Sequence, residues 1–581
     1  MDVSHRLLST ARACLKAGDL PGALAAVRTA LPSDPAGVGV LNALGVIAMR
    51  MGCTGDAIRH FSRATLLDDA PQSAMNHAMA VETTDDAPAA AVAYEALLAR
   101  FPDHEPAKAR LSRVQCAFGR RALAEGRLAE AEAALLKVLA MAQTEPARLA
   151  EAACLLGLTA AGRDEHGRAV ALFERALVCE PDLGLAALGM AGSLLDIAWA
   201  DRACRLQPDA PSAWLTAGAN RYMRGLLDRA ADDYVRALHL VEHHGPDTIV
   251  GDIHLRLART LLTKDRAAAQ AHLQHARRVV DPAIQARVGD CEAEFALHDG
   301  DLVEADRRFR SDPAARDPRA AQILATFRCD PAFIDALPPP PDVAMEAVAE
   351  RGGDVRRVVL VACDGSYLEA FGGMFARSFA ATQDSGTLLH VHVCDAPAER
   401  IAASAALLDQ LGILYRLTRG PLPDGFRAEP RVIYSCMRFL IAPRLLALYS
   451  QPLVIADVDA VLEVDIGDFL GSVHADVAVI GKNWIFEPHI RYLAGLMVLR
   501  PTAATATLLD RLCAYLSHYL TDGSARWYID QVGLCACLEL ARQRELPLAM
   551  LDRWSLPLHF RPAREPWEAA RRRPPFSLYG A

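Results

Sequence analysis

The stretch Leu453-Val454-Ile455-Ala456-Asp457-Val458-Asp459 joins four apolar residues directly to two carboxylates that are separated by one residue. A short apolar run of this kind predicts a buried β-strand. Asp457 and Asp459 then stand at the end of that strand, where two hard oxygen ligands can hold Mg²⁺ or Mn²⁺. A second interpretation stays open, because acidic pairs also decorate turns, but the acidic character continues into the loop-like stretch from Glu463.

Around this strand, from Val355 onward, short apolar runs alternate with amphipathic helical segments. The runs that predict buried strands are 358–362, 388–393, 453–456, 477–480 and 496–499. This alternation predicts an α/β sandwich with a mainly parallel central sheet, whose ligand crevice lies at the carboxyl ends of the strands. His390 and His392 share one face of the second strand, and we expect them to face solvent.

Residues 355–570 resemble the glycosyltransferase A-type fold, an α/β nucleotide-diphospho-sugar transferase domain, and specifically the family-eight group of glycogenin-like and lipopolysaccharide-galactosyltransferase-like enzymes. In that family the first strand ends in an Asp, followed three residues later by a Tyr, and both hold the nucleoside. Asp364 and Tyr367 match them. Without the resemblance, this pair would be an ordinary entry from a strand into a helix.

The family also carries a Tyr and an Arg on the helix that leads to the metal-binding strand, matched here by Tyr434 and Arg438. The resemblance implies that Arg438 lies near the sugar and diphosphate of the donor. Because residues four apart share one helix face, the two could also be a plain surface pair.

Two further family motifs lie downstream. Where the family has a sugar-contacting Asn-Ala-Gly segment, this chain has Leu493-Ala494-Gly495, so the Asn is missing. The stretch Trp527-Tyr528-Ile529-Asp530-Gln531 matches the family's Asp-Gln pair, which implies that Asp530 and Gln531 flank the reactive face of the donor sugar. A buried Asp-Gln pair could instead be a structural hydrogen-bonding pair.

The last family motif is a metal-binding His followed by Gly, Lys and Pro-Trp at fixed offsets. The corresponding residues here are His559, Pro562, Glu565, Pro566 and Trp567. The spacing is kept, and the resemblance implies that His559 is a third metal ligand, although a lone His is otherwise a packed or surface residue. Because Glu565 replaces a diphosphate-binding Lys, we expect Arg564, or failing that Arg561, to contact the diphosphate.

These matches imply transfer of a sugar from a nucleotide-diphosphate donor, by family habit a UDP-sugar, to an acceptor hydroxyl. A divalent metal, Mn²⁺ or Mg²⁺, would neutralise the leaving diphosphate. Two other hypotheses stay open. One is a degenerate transferase domain in a repeat-based protein-binding scaffold, which the missing Asn and Lys favour. The other is a nucleotidyltransferase, which the lack of a Gly-rich phosphate loop after the first strand disfavours.

The first half of the chain repeats itself with a period near 34 residues. Positions that recur are Gly18, Ala23 and Ala30, then Gly52, Ala57 and Ala64, and most fully Gly157, Ala169, Phe173, Ala176 and Pro181. They resemble the tetratricopeptide repeat, over residues 5–310 and about seven to nine units. The resemblance implies an all-α superhelical solenoid with a groove for a protein or peptide, the acceptor being one candidate. A spacer or self-association role stays open.

A change of composition between residues 310 and 354 marks a domain boundary. Four consecutive prolines at 338–341 favour a stiff, extended spacer there. We therefore expect a tetratricopeptide solenoid over 1–310, a Pro-rich linker over 311–354 and a glycosyltransferase A-type domain over 355–581.

Bulk composition limits the class of protein. A chain of 581 residues is too long for one core, and a net charge of -9 argues against nucleic acid as a partner. The 14 cysteines are scattered singly, which fits a reducing cytoplasm. The first residues contain no signal-peptide core, and no window reaches the ~18 apolar residues of a membrane span. We expect a soluble cytoplasmic protein with no transmembrane segment.

Overall fold

The computed structural model describes residues 3–34, 37–141, 145–242, 245–311, 316, 318–552 and 558–560, the first three and the last three as backbone only. The chain divides into two compact units, Met1–Pro208 and Asp209–Tyr579. The described part of the first unit is built of helices, and the second unit combines helices with a mixed β-sheet.

Helices of the first unit follow one another as packed hairpins. They are α1 (Val3–Ala17), α2 (Leu20–Ala30), α3 (Val38–Arg50), α4 (Thr54–Leu67), α5 (Pro71–Glu82), α6 (Ala87–Arg100), α7 (Glu105–Ala124), α8 (Leu128–Ala140), α9 (Pro146–Ala161), α10 (His166–Cys179), α11 (Gly184–Leu194) and α12 (Ile197–Leu206). Local signals begin several of them. In α6, for example, the Asp86 side chain accepts a hydrogen bond from the Ala89 N–H, and a proline occupies the first turn.

Small residues let the two helices of a hairpin approach closely. A Cβ built on Gly45 of α3 would lie 2.5 Å from Cε1 of Phe61 on α4, and one on Gly157 of α9 would lie 2.6 Å from Cε1 of Phe173 on α10. Only glycine fits under these rings without displacing them. The period seen in the sequence is therefore a packing period, as expected for tetratricopeptide-type hairpins.

The second unit begins with further hairpin helices and two short helices. These are α13 (Pro211–Met223), α14 (Leu227–Val241), α15 (Asp247–Leu261), α16 (Arg266–Arg277), α17 (Pro282–His298), α18 (Leu302–Phe309), α19 (Pro318–Leu324) and α20 (Pro331–Asp335). The hairpin packing continues, because a Cβ on Gly218 of α13 would lie 2.6 Å from Cε1 of Tyr234 on α14.

Strands and helices then alternate to the end of the described chain. They are β1 (Glu346–Arg351), β2 (Arg357–Asp364), α21 (Gly365–Tyr367), α22 (Gly373–Thr382), β3 (Thr387–Cys394), α23 (Ala398–Leu411), β4 (Leu414–Gly420), α24 (Pro430–Tyr449), β5 (Leu453–Ala456), β6 (Ala460–Leu462), α25 (Ile466–Ser472), β7 (Val477–Gly481), α26 (Pro488–Arg491), β8 (Tyr492–Leu499), α27 (Ala503–Asp522), α28 (Ile529–Gln543), β9 (Leu548–Leu551) and β10 (Leu558–Phe560). A π-helical turn, Leu368–Gly372, joins α21 to α22.

Eight of these strands form one sheet in the order β1-β4-β3-β2-β5-β8-β7-β9, and β10 pairs with β6 separately. All five predicted strands are present, and the sheet is mainly parallel, as expected, with two antiparallel strands. β2, β3, β4, β5, β7 and β9 run in one direction, whereas β1 and β8 run opposite to their neighbours. The chain moves from β2 to β3 and β4 on one side and returns to β5 on the other, so β2 and β5 flank the point where ligand crevices form in such sheets.

The stretch before the sheet is not an extended spacer throughout. It contains α19 and α20, and Cys329 between them is buried and donates its N–H to Asp306 of α18 over 2.8 Å. One hydrophobic cluster includes Leu273 of α16, Phe309 of α18 and Leu360 of β2. The prolines at 338–341 only connect α20 to β1. The last repeat hairpins therefore share a core with the sheet, within one compact unit.

Helix α24 is the central helix against this sheet. Among the described helices, α24 is the one that is long enough and apolar enough to cross a membrane. However, 61% of its most apolar 18-residue window is buried within the fold. It packs on β2, β5, α27 and α28.

His390 and His392 on β3 are fully buried, so their expected exposure to solvent is wrong. His390 is within 3.0 Å of both the Tyr449 hydroxyl and the Thr418 hydroxyl, and His392 lies 3.0 Å from the same threonine. Burial lowers the pKa of His390 to about 3 and that of His392 to about 4, so both rings are neutral. They are hydrogen-bonded core residues.

The close helix contact at Gly157 leads to a stability prediction. We expect Gly157→Ala to lower the free energy of unfolding by about 1–2 kcal/mol, because the new methyl group must displace the buried Phe173 ring. The matched control is Gly192→Ala on α11, where a Cβ meets nothing within 4 Å and where Ala should stabilise by up to about 1 kcal/mol. Guanidinium unfolding followed by circular dichroism measures both, and equal shifts in the two variants would contradict the packing account.

Candidate functional site

The carboxyl ends of β2 and β5 meet at one edge of the sheet. The two strands are paired in parallel, with Leu360 opposite Ile455. Asp364 ends β2, and Asp457 and Asp459 directly follow β5. The two predicted carboxylate positions are therefore neighbours in the fold.

Asp364 shapes the entry into the following helix. Its Oδ1 accepts hydrogen bonds from the backbone N–H groups of Ser366 (2.6 Å) and Tyr367 (3.0 Å), so it caps α21. The Tyr367 side chain is 45% exposed. Partial burial, and then Asp459, Asp364 and Asp457, raise the pKa of the Tyr367 hydroxyl. The structure thus brings Tyr367 close to all three carboxylates.

Arg438 of α24 is the central charge of the site. It is only 8% exposed, so the alternative of a surface residue is wrong. Its Nη1 lies 2.6 Å from Oδ1 of Asp457, and its Nη2 donates to Oδ2 of Asp530 over 3.2 Å. Burial lowers the pKa of Arg438, but Asp457 and Asp530 raise it by more, so the net shift is upward. One buried cation therefore joins the end of β5 to the start of α28.

Asp530 and Gln531 begin α28 on the other side of Arg438. Asp530 is buried, and its Oδ1 accepts the Gln531 N–H over 2.9 Å. Burial raises the pKa of Asp530, although Arg438 opposes this shift. Among the described residues, two buried side-chain atoms here have no hydrogen-bond partner, Oε1 of Gln531 and Nε of Arg438.

The carboxylates suit a divalent cation. Burial, and then the charge of Asp457, raise the pKa of Asp459 to about 7. Asp457, Asp459 and Asp530 thus share the single positive charge of Arg438, so a further cation would relieve their repulsion. Among the described residues, however, no group of three His, Cys, Asp or Glu side chains has metal-binding geometry. The two aspartates need a ligand from elsewhere.

The predicted third ligand can be located by its backbone alone. His559 in β10 is the antiparallel partner of Val461 in β6, and Val461 follows Asp459 by two residues. The His559 side chain lies outside what the structure describes, as do Arg561 and Arg564.

The segment that replaces the family's Asn-Ala-Gly motif lies beside Asp457. The carbonyl oxygen of Gly495 in β8 accepts the N–H of Asp457 over 3.2 Å. Leu493, at the position of the missing Asn, is buried and packs in the hydrophobic cluster under the sheet. The altered residue is thus adjacent to the site but contributes no polar group.

Asp395 was not singled out from the sequence. It follows β3 directly, has a left-handed backbone (φ 47°) and accepts a hydrogen bond from the Tyr434 hydroxyl over 3.2 Å. It lines a cavity of about 410 Å³ at the ends of β3 and β4, together with Glu346, Arg419 and Pro421. The signal that could have found it is its position, because it ends its strand as Asp364 ends β2.

Comparisons with known proteins place the chain only loosely. No protein-family model and no curated protein matches it. Yeast Tom70 is 14% identical, with 56% of this chain and 80% of that chain covered and a TM-score of 0.29. A tetratricopeptide repeat protein from Parabacteroides merdae is 17% identical, with 45% and 99% covered and a TM-score of 0.25. The WbbM bifunctional glycosyltransferase is 16% identical, with 35% and only 40% covered and a TM-score of 0.26. At such scores the interpretation of the site rests on its own residues.

The raised pKa of Asp459 leads to a pH prediction for the metal-free protein. The pKa of the folded Asp459 carboxyl is about 7 and that of the unfolded one has the ordinary value of 3.8, so between these values the folded state binds more protons and stability falls as pH rises. Asp459→Asn removes this pH dependence. We expect the variant to gain on the order of 1–3 kcal/mol relative to the parent between pH 4 and pH 8, in chelator.

Chemical unfolding at several pH values measures this difference. Asp468→Asn is the matched control for the loss of one carboxylate, because Asp468 is exposed in the same acidic stretch. Parallel stability curves for parent and Asp459→Asn would show that neither burial nor Asp457 raises the pKa of Asp459 in the folded protein.

Proposed function

We propose that residues 355–581 form a metal-assisted glycosyltransferase domain of the A-type. It would move a sugar from a nucleotide-diphosphate donor, first of all a UDP-sugar, to an acceptor hydroxyl. The observation that carries this proposal is the buried Arg438, which joins Asp457 beside the metal-binding position to Asp530 beside the sugar position.

Each site residue then has a role. Asp364 and Tyr367 hold the nucleoside at the end of β2, while Asp457, Asp459 and His559 hold Mn²⁺ or Mg²⁺. When bound, the metal would supply positive charge that stabilises the leaving diphosphate. Arg561 and Arg564 are proposed as further diphosphate contacts, in place of the family's Lys.

Arg438, Asp530 and Gln531 would orient the donor sugar. Because Asp457 and Asp530 hold two of its nitrogens, the guanidinium is fixed before a substrate binds, so no reorganisation is needed when charge develops. Its unpartnered Nε and the unpartnered Oε1 of Gln531 offer one donor and one acceptor to sugar hydroxyl groups. The buried site would also keep water from the reacting carbon.

A degenerate, non-catalytic domain is the second candidate. The buried Leu493 and the replacement of the family's Lys by Glu565 favour it. The buried triad of Asp457, Arg438 and Asp530 favours activity, because burying three charged groups costs free energy and such a triad adds little to stability.

The repeats are proposed to bind a protein or peptide, with the acceptor as one candidate. Stacked helical hairpins create an extended groove for such partners. All 14 cysteines are free thiols in the structure, and we place the protein in the cytoplasm, where thiols stay reduced.

Donor hydrolysis tests the enzyme proposal. With Mn²⁺, we expect the parent to release UDP from UDP-glucose or UDP-galactose, and Asp459→Asn to lower the rate about 100-fold or more without unfolding the domain. Chelator should abolish parental activity, and Asp468→Asn should keep it. Absent turnover with normal nucleotide binding would favour the degenerate domain, and full turnover by Asp459→Asn in chelator would exclude the metal role.

Truncation tests the partner proposal. A chain that begins at Asp209, where the second compact unit begins, should still hydrolyse the donor but transfer sugar poorly to its native acceptor. Comparison with the full chain at equal enzyme concentration measures the loss, for which we expect about 10-fold or more from lost binding energy. Equal transfer would leave residues 1–208 as a spacer or assembly module.

A further inference from the structure

The segment 482–491 connects β7 to β8 and is anchored at its end by a buried arginine. Arg491 is 1% exposed, donates Nη1 to the Ile485 carbonyl oxygen over 2.6 Å and Nε to Glu539 of α28 over 2.5 Å. Its guanidinium also lies 4.1 Å from the centroid of the Phe486 ring. The segment is therefore folded on itself and attached to α28, the helix that carries Asp530.

Trp484 attaches the same segment to the α13–α14 hairpin of the repeats. Its Nε1 donates to the Tyr222 carbonyl oxygen over 2.7 Å, and the Tyr222 hydroxyl donates back to the Trp484 carbonyl oxygen over 3.3 Å. The indole lies against Gly225, where a Cβ would come within 2.8 Å of the ring. Gly225 has φ +74°, so glycine is favoured at this turn both by its backbone conformation and by the lack of room for a Cβ.

A second attachment comes from the next two hairpins. Arg259 of α15 donates Nε and Nη2 to the carboxylate of Glu294 on α17 over 2.8 and 2.7 Å, and its Nη1 lies 3.4 Å from Oε1 of Glu487. His298 of α17 contacts the Phe486 ring edge-on at 5.1 Å. Three consecutive hairpins thus hold one short segment.

The 482–491 segment is connected to the candidate site in two ways, through Tyr528 before Asp530 and through β8 beside Asp457. The His489 ring packs edge-on against the Tyr528 ring at 5.9 Å. Tyr528 has a left-handed backbone (φ 78°), which a tyrosine adopts only when its surroundings enforce it, and it precedes Asp530 by two residues. The chain then continues into β8, whose Gly495 carbonyl binds the Asp457 N–H.

We propose that hairpins α13 to α18 are a positioning element of the active site. Through Trp484 and Glu487 they hold the 482–491 segment, so that His489 fixes Tyr528 and thereby aims Asp530 and Gln531 at the donor sugar. This inference rests on the proposed function. It assigns the last repeats to orientation of the sugar, separately from any partner that the array binds, and it makes Trp484 and Glu487 positioning residues.

The test uses the full chain carrying Trp484→Phe and Glu487→Gln together. These changes remove the indole donor and the charge toward Arg259, while Gln keeps the size of Glu and Phe keeps an aromatic ring at position 484, although a smaller one. The control is Gln543→Ala, which removes a different contact between the same two parts, from Gln543 to the Gly300 carbonyl oxygen. With Mn²⁺, calorimetry measures UDP binding, and a coupled assay measures hydrolysis of UDP-glucose and UDP-galactose.

We expect the double variant to bind UDP within two-fold of the parent but to hydrolyse the sugar donor at least ten-fold more slowly in kcat, because only the sugar side loses its geometry. The control should change neither value by more than two-fold. Unchanged kcat in a folded double variant would overturn the proposal. So would a parallel loss of UDP affinity and turnover, since that is the behaviour of a purely structural contact.

Hydrogen–deuterium exchange gives a readout that does not depend on activity. Backbone amides at 526–533 should exchange at least ten-fold faster in the double variant than in the parent, and at the parental rate in Gln543→Ala. If the parent neither binds UDP nor hydrolyses a sugar donor, the proposed function fails, and exchange still decides whether the repeats position α28. Unaltered exchange at 526–533 would then overturn the positioning itself.

Discussion

The arrangement of the second unit depends on one guanidinium that is buried between two carboxylates. Arg438 lies between Asp457 and Asp530, at 2.6 and 3.2 Å. Removing a charge from water costs several kcal/mol, and only close partners offset that cost. The helix that carries Arg438, the end of β5 and the start of α28 are therefore fixed relative to one another. Asp459 adds a third carboxylate, and burial together with the charge of Asp457 raises its pKa, which is why the site suits a further cation.

Sequence reasoning succeeded where the signal is local. The apolar run before Asp457 and the Asp at the end of β2 are both strand ends, and parallel strands bring their carboxyl ends to one edge. The contact between Arg438 and Asp530 joins residues 92 positions apart, and no spacing in the sequence indicates it. Resemblance to a family suggested both residues separately, whereas their pairing, and its geometry, needed the fold.

One expectation was wrong because polar residues that alternate with apolar ones along a strand were equated with solvent-exposed residues. His390 and His392 alternate with apolar residues on β3, and in a half-solvated sheet they would face water. Here helices cover the sheet on both faces, so the histidines are buried and bind Thr418 of β4. The edge strand β1 was missed for the opposite reason. Four of its six residues are exposed and the other two only partly buried, so it carries no apolar pattern to recognise.

The proline run shows why composition can misplace a boundary. Prolines stiffen a backbone locally, but whether two parts separate depends on the apolar surface they share. The end of a helical solenoid exposes an apolar face that needs a cover. In this unit the face of α16 and α18 is covered by the α/β core, as Leu273, Phe309 and Leu360 lie in one cluster. The last hairpins cannot move independently of the sheet without exposing that cluster, so hairpins and sheet belong to one compact unit.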